Sequence, residues 1–200
     1  LSREISKHSD LKEIVIHTGQ HFDKKMSQVF FDEMEIEKPA YQLSINSLPH
    51  GAMTGRMIEK IEEVLLDEKP DMVLVYGDTN STLAGALAAK KLHIELGHVE
   101  SGLRSFNMKM PEEINRILTD RISNQLFCPT QTAIDNLAKE GFSAFQDASI
   151  HLSGDVMQDA AMYYSERAES RAGIALEFIG KEFALCTLHR EENTNDVARL

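Results

Sequence analysis

The sequence is poor in the residues that mark several classes of protein. Cysteine occurs only twice among 200 residues, as Cys128 and Cys186, and the two show none of the spacings typical of metal ligands. So few cysteines suit a reducing compartment. With only 5 prolines and 11 glycines, the composition also excludes a collagen-like or disordered chain. We therefore expect a cytoplasmic globular protein that binds no metal.

Basic residues and long apolar runs are also scarce. The chain has 21 lysines and arginines against 32 aspartates and glutamates, a formal net charge of −11, whereas nucleic-acid binders need a basic face. No apolar run reaches the ~18 residues of a membrane span. We therefore expect neither nucleic acid nor a membrane as a partner, and any phosphate must be bound by a few local groups.

Apolar runs alternate with amphipathic runs along most of the chain, a pattern typical of βαβ units in a parallel sheet. The predicted strands cover 13–17, 42–45, 71–76, 92–98, 125–128, 148–152 and 183–188. The predicted helices cover 24–34, 52–68, 81–91, 131–139 and 155–168, with another that begins at Pro111 and buries Ile114, Ile117, Leu118 and Ile122. We therefore expect an α/β fold, a Rossmann-like parallel sheet with helices on both faces.

A charged stretch at 165–181 divides the chain, and such stretches are typical of linkers between domains. We predict a first Rossmann-like lobe at 1–165, a linker at 166–181 and the start of a second lobe at 182–200. The chain opens on a polar segment without methionine. We therefore expect the natural protein to begin upstream, with the first strand of the lobe missing here.

Ligands of open α/β sheets bind outside the carboxyl ends of the strands, so the polar residues that follow each strand form the candidate site. Together with two glutamates at a helix start, they supply carboxylates, an imidazole and guanidiniums for acid–base chemistry. These residues are Gln20 and His21, Asp78 and Thr79, Glu100 and Arg104, Glu112 and Glu113, and His189 and Arg190.

Most of these residues also have an ordinary structural explanation. Asp78 could cap the helix that follows it. Glu112 could lie in a first helical turn simply because the helix dipole favours a carboxylate there. Arg104, in a loop, would by default be a solvated charge. The pair His189 and Arg190 differs, because such a pair leaving an apolar strand is costly unless it meets a ligand or an anion.

Six short motifs occur in order along the chain. They are HTGQH (17–21), YGDT (76–79), HVESGLR (98–104), MPEEINR (110–116), LSGDV (152–156) and TLHREEN (187–193). With these motifs the sequence closely resembles the non-hydrolysing UDP-N-acetylglucosamine 2-epimerases from about Leu11 to its last residue. The resemblance implies two Rossmann-like lobes in the glycosyltransferase-B architecture, with the UDP-sugar in the cleft between them.

The resemblance also implies a reaction. The family expels UDP from C1 by elimination and adds it back after C2 is reprotonated, which interconverts UDP-N-acetylglucosamine and UDP-N-acetylmannosamine for cell-surface polysaccharide, without a cofactor. By position in the motifs, Asp78, Glu100 and Glu112 share proton transfer and His189 lies at the diphosphate; which carboxylate is the base stays open. The implied substrate-binding residues are Asp78, Glu100, Arg104, His189 and Arg190.

A second UDP-sugar acts as an activator in some members of the family. Gln20, His21 and Arg56 match the positions that line that second site. The resemblance therefore implies UDP-sugars as substrate and as a possible activator, and a homodimer for the full-length protein.

Several other functions stay open at this point. The protein could epimerise a related UDP-acetamido sugar, hydrolyse the substrate to UDP and free N-acetylmannosamine, or transfer the sugar as a glycosyltransferase of the same fold. It could also bind UDP-sugars without turnover. The presence of Asp78, Glu100, Glu112 and His189 argues against this last function.

Overall fold

The computed structural model describes residues 1–20, 38–144, 147–170, 180, 182–184 and 186–187. The chain divides into two units, Leu1–Ala160 and Ala161–Leu200. The predicted helix at 24–34 lies outside the described residues, and the predicted linker and second lobe stay predictions.

Strands and helices alternate along the first unit. The strands are β1 (Ile16–His17), β2 (Tyr41–Gln42), β3 (Met72–Tyr76), β4 (Glu95–Val99), β5 (Gln125–Cys128) and β6 (Ser149–Leu152). The helices are α1 (Ser2–Ile5), α2 (His50–Glu68), α3 (Asn80–Lys91), α4 (Pro111–Ile122), α5 (Gln131–Lys139) and α6 (Val156–Ser170), with a 3₁₀ turn at Phe142–Ala144. Helix α6 continues into the second unit.

The strands form two parallel sheets. Strands β1 and β2 pair with each other, and β3, β4, β5 and β6 form a second sheet in the order of the chain. In this larger sheet Leu74 lies opposite Gly97, and Val99 opposite Phe127. The predicted α/β class, with parallel strands flanked by helices, is confirmed. Because all four strands run the same way, their carboxyl ends share one edge, which we call the rim.

The main core lies where helix α3 packs on the sheet. The small side chains Ala84, Ala86, Ala88 and Ala89 are fully buried, and a methyl group added at Gly85 would lie 3.0 Å from Val75. Small residues therefore let α3 approach the sheet closely, as the sequence predicts. A second cluster lies among β5, α5 and the 3₁₀ turn and consists of Leu126, Cys128, Ala133, Leu137 and Phe142.

Strand β1 covers only Ile16–His17 of the predicted 13–17. Two further predicted strands are shorter because the chain turns where the sequence predicts extension. Strand β4 begins at Glu95 rather than at 92, since the N–H of Leu92 still bonds the last turn of α3 and His93 takes a φ of 60°. Strand β2 ends at Gln42, and Ser44, two residues later, has a φ of 55°. Apolar composition therefore overestimates the lengths of β2 and β4.

Helix α4 buries only part of the predicted face: Ile117 and Ile122 are half-buried, and Ile122 packs on the main core. Ile114 and Leu118 are 40% and 46% exposed, so the prediction that they are buried is wrong. The polar side chains meet groups on β4 and on the loops after β3 and β4, and those hydrogen bonds outweigh the loss of apolar burial. The buried residues of α4 are Glu113, Asn115, Thr119 and Asp120.

The predicted strand at 183–188 is not found among its described residues. Residues 183, 184, 186 and 187 are exposed and belong to no strand, while 185 and 188 lie outside the described part of the chain. That this segment opens a second sheet stays a prediction.

Two glycines offer a matched test of the backbone. Gly102 has a φ of +77°, and a Cβ there would lie 2.5 Å from the carbonyl oxygen of Ala133, whereas a Cβ at Gly55, inside α2, would meet nothing within 4 Å. We expect Gly102→Ala to lower the free energy of unfolding by more than about 1 kcal/mol. Gly55→Ala should raise it by about 0.5–1 kcal/mol. Urea unfolding measures both, and a Gly102→Ala variant as stable as the parent would contradict the described turn.

Candidate active site

Asp78 follows β3 at the rim and is held by helix α4. Gly77 makes the turn with a φ of +63°, and the carboxylate of Asp78 pairs with the guanidinium of Arg116. The carbonyl of Asp78 accepts a hydrogen bond from Asn115 Nδ2 at 2.9 Å. Thr79, rather than Asp78, caps helix α3. The carboxylate of Asp78 is therefore not used as a helix cap.

Glu113 anchors Arg116 from the same helix. Its carboxylate is almost fully buried and accepts backbone N–H bonds from Ser105 at 2.9 Å and Phe106 at 2.8 Å. Arg116 Nη1 also donates to it at 3.0 Å. Burial alone would raise the pKa of Glu113, but these donors hold it below its ordinary value. Glu113 thus stays ionised and aims Arg116 at Asp78.

Glu100 faces this turn from the end of the neighbouring strand. It directly follows β4 with a φ of 69°, and its Oε2 lies 4.0 Å from the position that a Cβ on Gly77 would take. Burial raises the pKa of Glu100, and the nearby carboxylates of Asp78 and Asp155 raise it further. A carboxyl group with a raised pKa holds a proton more readily than an ordinary carboxyl group, which suits acid–base catalysis.

Glu112 stands apart from this pair in the structure. It lies exposed in the first turn of α4, and no hydrogen bond is found for its carboxylate among the described residues. Its neighbour Glu113 is the one turned inward. The convergence of Glu112 on Asp78 and Glu100 therefore stays a prediction.

Arg104 is not the solvated loop charge that its position suggests. Its side chain is only 1% exposed, and its guanidinium donates to Asp120 at 2.7 Å and to Glu140 at 2.7 and 2.8 Å. Burial by itself would lower the pKa of Arg104, but these two carboxylates outweigh burial and raise the pKa above its ordinary value. In the described contacts Arg104 ties the loop after β4 to α4 and to the end of α5, and its contact with substrate stays a prediction.

The residues predicted for an activator site lie beside the start of α3 and on α2. The side-chain oxygen of Gln20 accepts from the backbone N–H of Ser81 at 3.1 Å and from its hydroxyl at 3.0 Å. Arg56 is exposed and lines a groove of about 440 Å³ with Ser44 and Asn46. His21 lies outside the described residues, so an activator site stays a prediction.

The structure does not test the predicted roles of His189 and Arg190. His189 and Arg190 lie outside the described residues, and with them the predicted diphosphate end of the site. Within the ranges that the structure describes, no three His, Cys, Asp or Glu side chains are grouped to hold a metal ion. No helix in the same ranges is long and apolar enough to cross a membrane.

The sequence analysis named Glu113 as a candidate but missed Arg116 and Asp120, which share a polar face of α4 with it. Glu113, Arg116 and Asp120 recur at intervals of three and four residues, which places them on one face of a helix. A stripe of charged residues on a helix is ordinarily solvated, so the spacing alone does not indicate that these side chains turn toward the sheet. The same three residues reach Asp78, the loop after β4, and the buried ring of His98.

Comparison with known proteins places the chain among UDP-sugar enzymes. The family model described as UDP-N-acetylglucosamine 2-epimerase matches residues 3–200. A Pseudomonas aeruginosa UDP-2,3-diacetamido-2,3-dideoxy-D-glucuronate 2-epimerase is 58% identical over 200 residues, which are all of this chain and 55% of that protein. A UDP-N-acetylglucosamine 2-epimerase of Methanococcus maripaludis is 52% identical over 190 residues, 92% of this chain and 51% of that protein.

Solved structures agree with the sequence matches. The Methanocaldococcus jannaschii UDP-GlcNAc 2-epimerase in complex with UDP-GlcNAc and UDP has a TM-score of 0.88 at 45% identity, covering 97% of this chain and 53% of that one. The Neisseria meningitidis UDP-GlcNAc 2-epimerase bound to UDP-GlcNAc has a TM-score of 0.78 at 34% identity, covering 88% and 48%. The chain spans about half the length of the curated relatives it matches.

Proposed function

Because the chain belongs to the UDP-N-acetylglucosamine 2-epimerase family, we propose that the whole protein is an isomerase that inverts C2 of a UDP-sugar. One observation carries this proposal above the others. The carboxylates of Asp78 and Glu100 lie near enough at the rim to repel each other and have different surroundings, one paired with Arg116 and the other half-buried with a raised pKa. Two carboxyl groups in such different environments suit an acid and a base.

The proposed reaction proceeds in two reversible halves. A proton leaves C2 for a carboxylate while the C1–O bond breaks and UDP departs with its electron pair. A proton then returns to C2 on the opposite face, and UDP adds back at C1, so atoms and electrons balance without a cofactor. Cations near the diphosphate stabilise the charge that develops on the leaving UDP.

We assign the proton-exchanging role to Glu100, because burial and its like-charged neighbours favour its protonated form. Asp78, paired with Arg116, acts as its counterpart, and Glu112 is the third member of the set. His189 completes the assignment at the diphosphate, with Arg104 and Arg190 as further substrate-binding residues. The support for these last roles is their position in the family motifs.

Two substrates compete for this site. The structural neighbours are UDP-GlcNAc 2-epimerases, which favours interconversion of UDP-N-acetylglucosamine and UDP-N-acetylmannosamine. The 58% identity to a UDP-2,3-diacetamido-2,3-dideoxy-D-glucuronate 2-epimerase favours that oxidised, doubly acetylated sugar instead. We propose the first as the default and the second as the alternative.

Incubating the full-length protein with each UDP-sugar alone in deuterated water decides between these functions. We expect the 2-epimer to form with deuterium at C2, because the proton lost from C2 exchanges with solvent before its return. Mass spectrometry and NMR of the sugar measure both changes. Net release of UDP would indicate a hydrolysing enzyme, and no change without an acceptor would indicate a glycosyltransferase or a binding protein.

The biological setting is proposed on the same grounds. We propose a cytoplasmic homodimer that supplies sugars for cell-surface polysaccharide, with a second UDP-sugar bound near Gln20, His21 and Arg56 as activator. The fixed side chain of Gln20 at the start of α3 is consistent with such a second site.

A further inference from the structure

A buried histidine lies in one of the two strands that carry the candidate carboxylates, and no role in the reaction has been given to it. His98 is the fourth of the five residues of β4 and is fully buried. Its Nδ1 lies 2.6 Å from the Oδ1 atom of Asp120, and its Nε2 lies 2.7 Å from the carbonyl oxygen of Gly77. Both neighbours of the ring are therefore oxygen atoms.

These contacts define the protonation of the ring. A backbone carbonyl only accepts hydrogen bonds, and so does an ionised carboxylate. Asp120 is surrounded by donors, because its Oδ2 accepts from the N–H of Gly102 at 3.1 Å and from Arg104 at 2.7 Å, which is the contact pattern of an accepting carboxylate. Both bonds of His98 can therefore form together only when both of its ring nitrogens carry a proton.

The hydrogen bonds end on the two turns that carry the reacting groups. The bond from His98 holds the carbonyl of Gly77, the peptide unit immediately before Asp78. The N–H of Gly77 is also held, by the carbonyl of Val99 at 3.1 Å. On the other side, Asp120 holds the N–H of Gly102, two residues after Glu100. One connected set of bonds therefore joins both turns.

We propose that His98 is a positioning residue for epimerisation: its doubly protonated ring holds the turn that carries Asp78 in register with the turn that carries Glu100. This inference rests on the proposed function, since it concerns the same two carboxylates. Rigid placement matters here because proton transfer to and from C2 fails when a carboxylate moves by about 1 Å. His98 itself touches no substrate atom in this role.

Two substitutions in the full-length protein separate the two bonds of the ring. The amide nitrogen of asparagine lies near the place of Nδ1, and that of glutamine lies near the place of Nε2. His98→Asn thus keeps a donor for Asp120 and loses the one for Gly77, whereas His98→Gln keeps the donor for Gly77. We expect kcat to fall at least tenfold in His98→Asn with KM nearly unchanged, and to stay within about threefold of the parent in His98→Gln.

Unfolding midpoints of both variants provide the control, with kcat measured at a temperature where both are folded. A purely structural histidine would give kcat values that follow the midpoints. Equal kcat values in the two variants, or a higher kcat in His98→Asn, would overturn the proposal. An inactive parent protein would instead refute the proposed function, so the two failures are distinct.

A measurement on the unmodified protein does not depend on either variant folding. NMR of the ¹⁵N-labelled full-length protein reports whether the ring nitrogens of His98 carry protons. We expect both N–H signals at neutral pH, protected from exchange by burial. A ring with a single proton would overturn the proposal whatever the activity measurements give.

Discussion

Turnover should fall by about 10²–10⁴-fold when Glu100 is replaced by glutamine in the full-length protein, the usual contribution of an acid–base group. The amide keeps the size of the side chain but cannot accept or return a proton. Burial and the nearby Asp78 already raise the pKa of the Glu100 carboxyl, so the substitution removes the carboxyl group that holds its proton more readily than usual. The initial rate of epimerisation, followed by NMR, measures the loss.

A glutamate at the other end of the same strand provides the control. Glu95 begins β4, is exposed, and accepts a hydrogen bond from Gln125. Glu95→Gln should leave the rate close to that of the parent. Asp78→Asn and Glu112→Gln should each lower turnover as Glu100→Gln does. An unchanged rate in Glu112→Gln would remove that exposed residue from the catalytic set, and an unchanged rate in all three would refute the assignment.

The largest expected effect on stability comes from Asp120→Ala. Asp120 is fully buried and is bonded to His98, Gly102 and Arg104. Removing its carboxylate leaves the buried ring of His98 and the buried guanidinium of Arg104 without their shared partner. We expect the free energy of unfolding to fall by about 3–5 kcal/mol, a large part of the total for a typical protein. Equilibrium unfolding in urea measures it.

An exposed ion pair supplies the comparison for this substitution. Lys60 bonds Glu63 one turn along α2, with both side chains largely in solvent. Lys60→Met should leave the unfolding midpoint close to that of the parent, because exposed pairs contribute little. An Asp120→Ala variant as stable as Lys60→Met would show that the buried cluster contributes little to folding.

Local signals in the sequence predicted the regular elements well. Strand β5 and helix α5 have the predicted bounds, since β5 is short and apolar and the side chain of Thr130 caps α5 at the N–H of Ala133. The alternation of strands and helices also predicted the parallel order. That order alone brings Asp78 and Glu100 to one edge of the sheet.

The burial of charge could not be predicted from the sequence. Glu113 faces inward because its partners are backbone N–H groups of Ser105 and Phe106, and backbone groups have no signature in a sequence. Arg104 is covered because Glu140, 36 residues later, meets its guanidinium. Both cases depend on how distant segments pack, which hydrophobic periodicity does not report.

The order of the sheet has a consequence for how this lobe is made. Each of β4, β5 and β6 pairs with the strand that precedes it in the chain, so pairing can proceed in the direction of synthesis. Asp78, Glu100, Glu113 and Asp120 all lie within one stretch of 43 residues, which keeps the contacts among them short in sequence. Such local contacts favour fast folding. The carboxylate pair can therefore assemble on a nascent chain before residues 161–200 leave the ribosome.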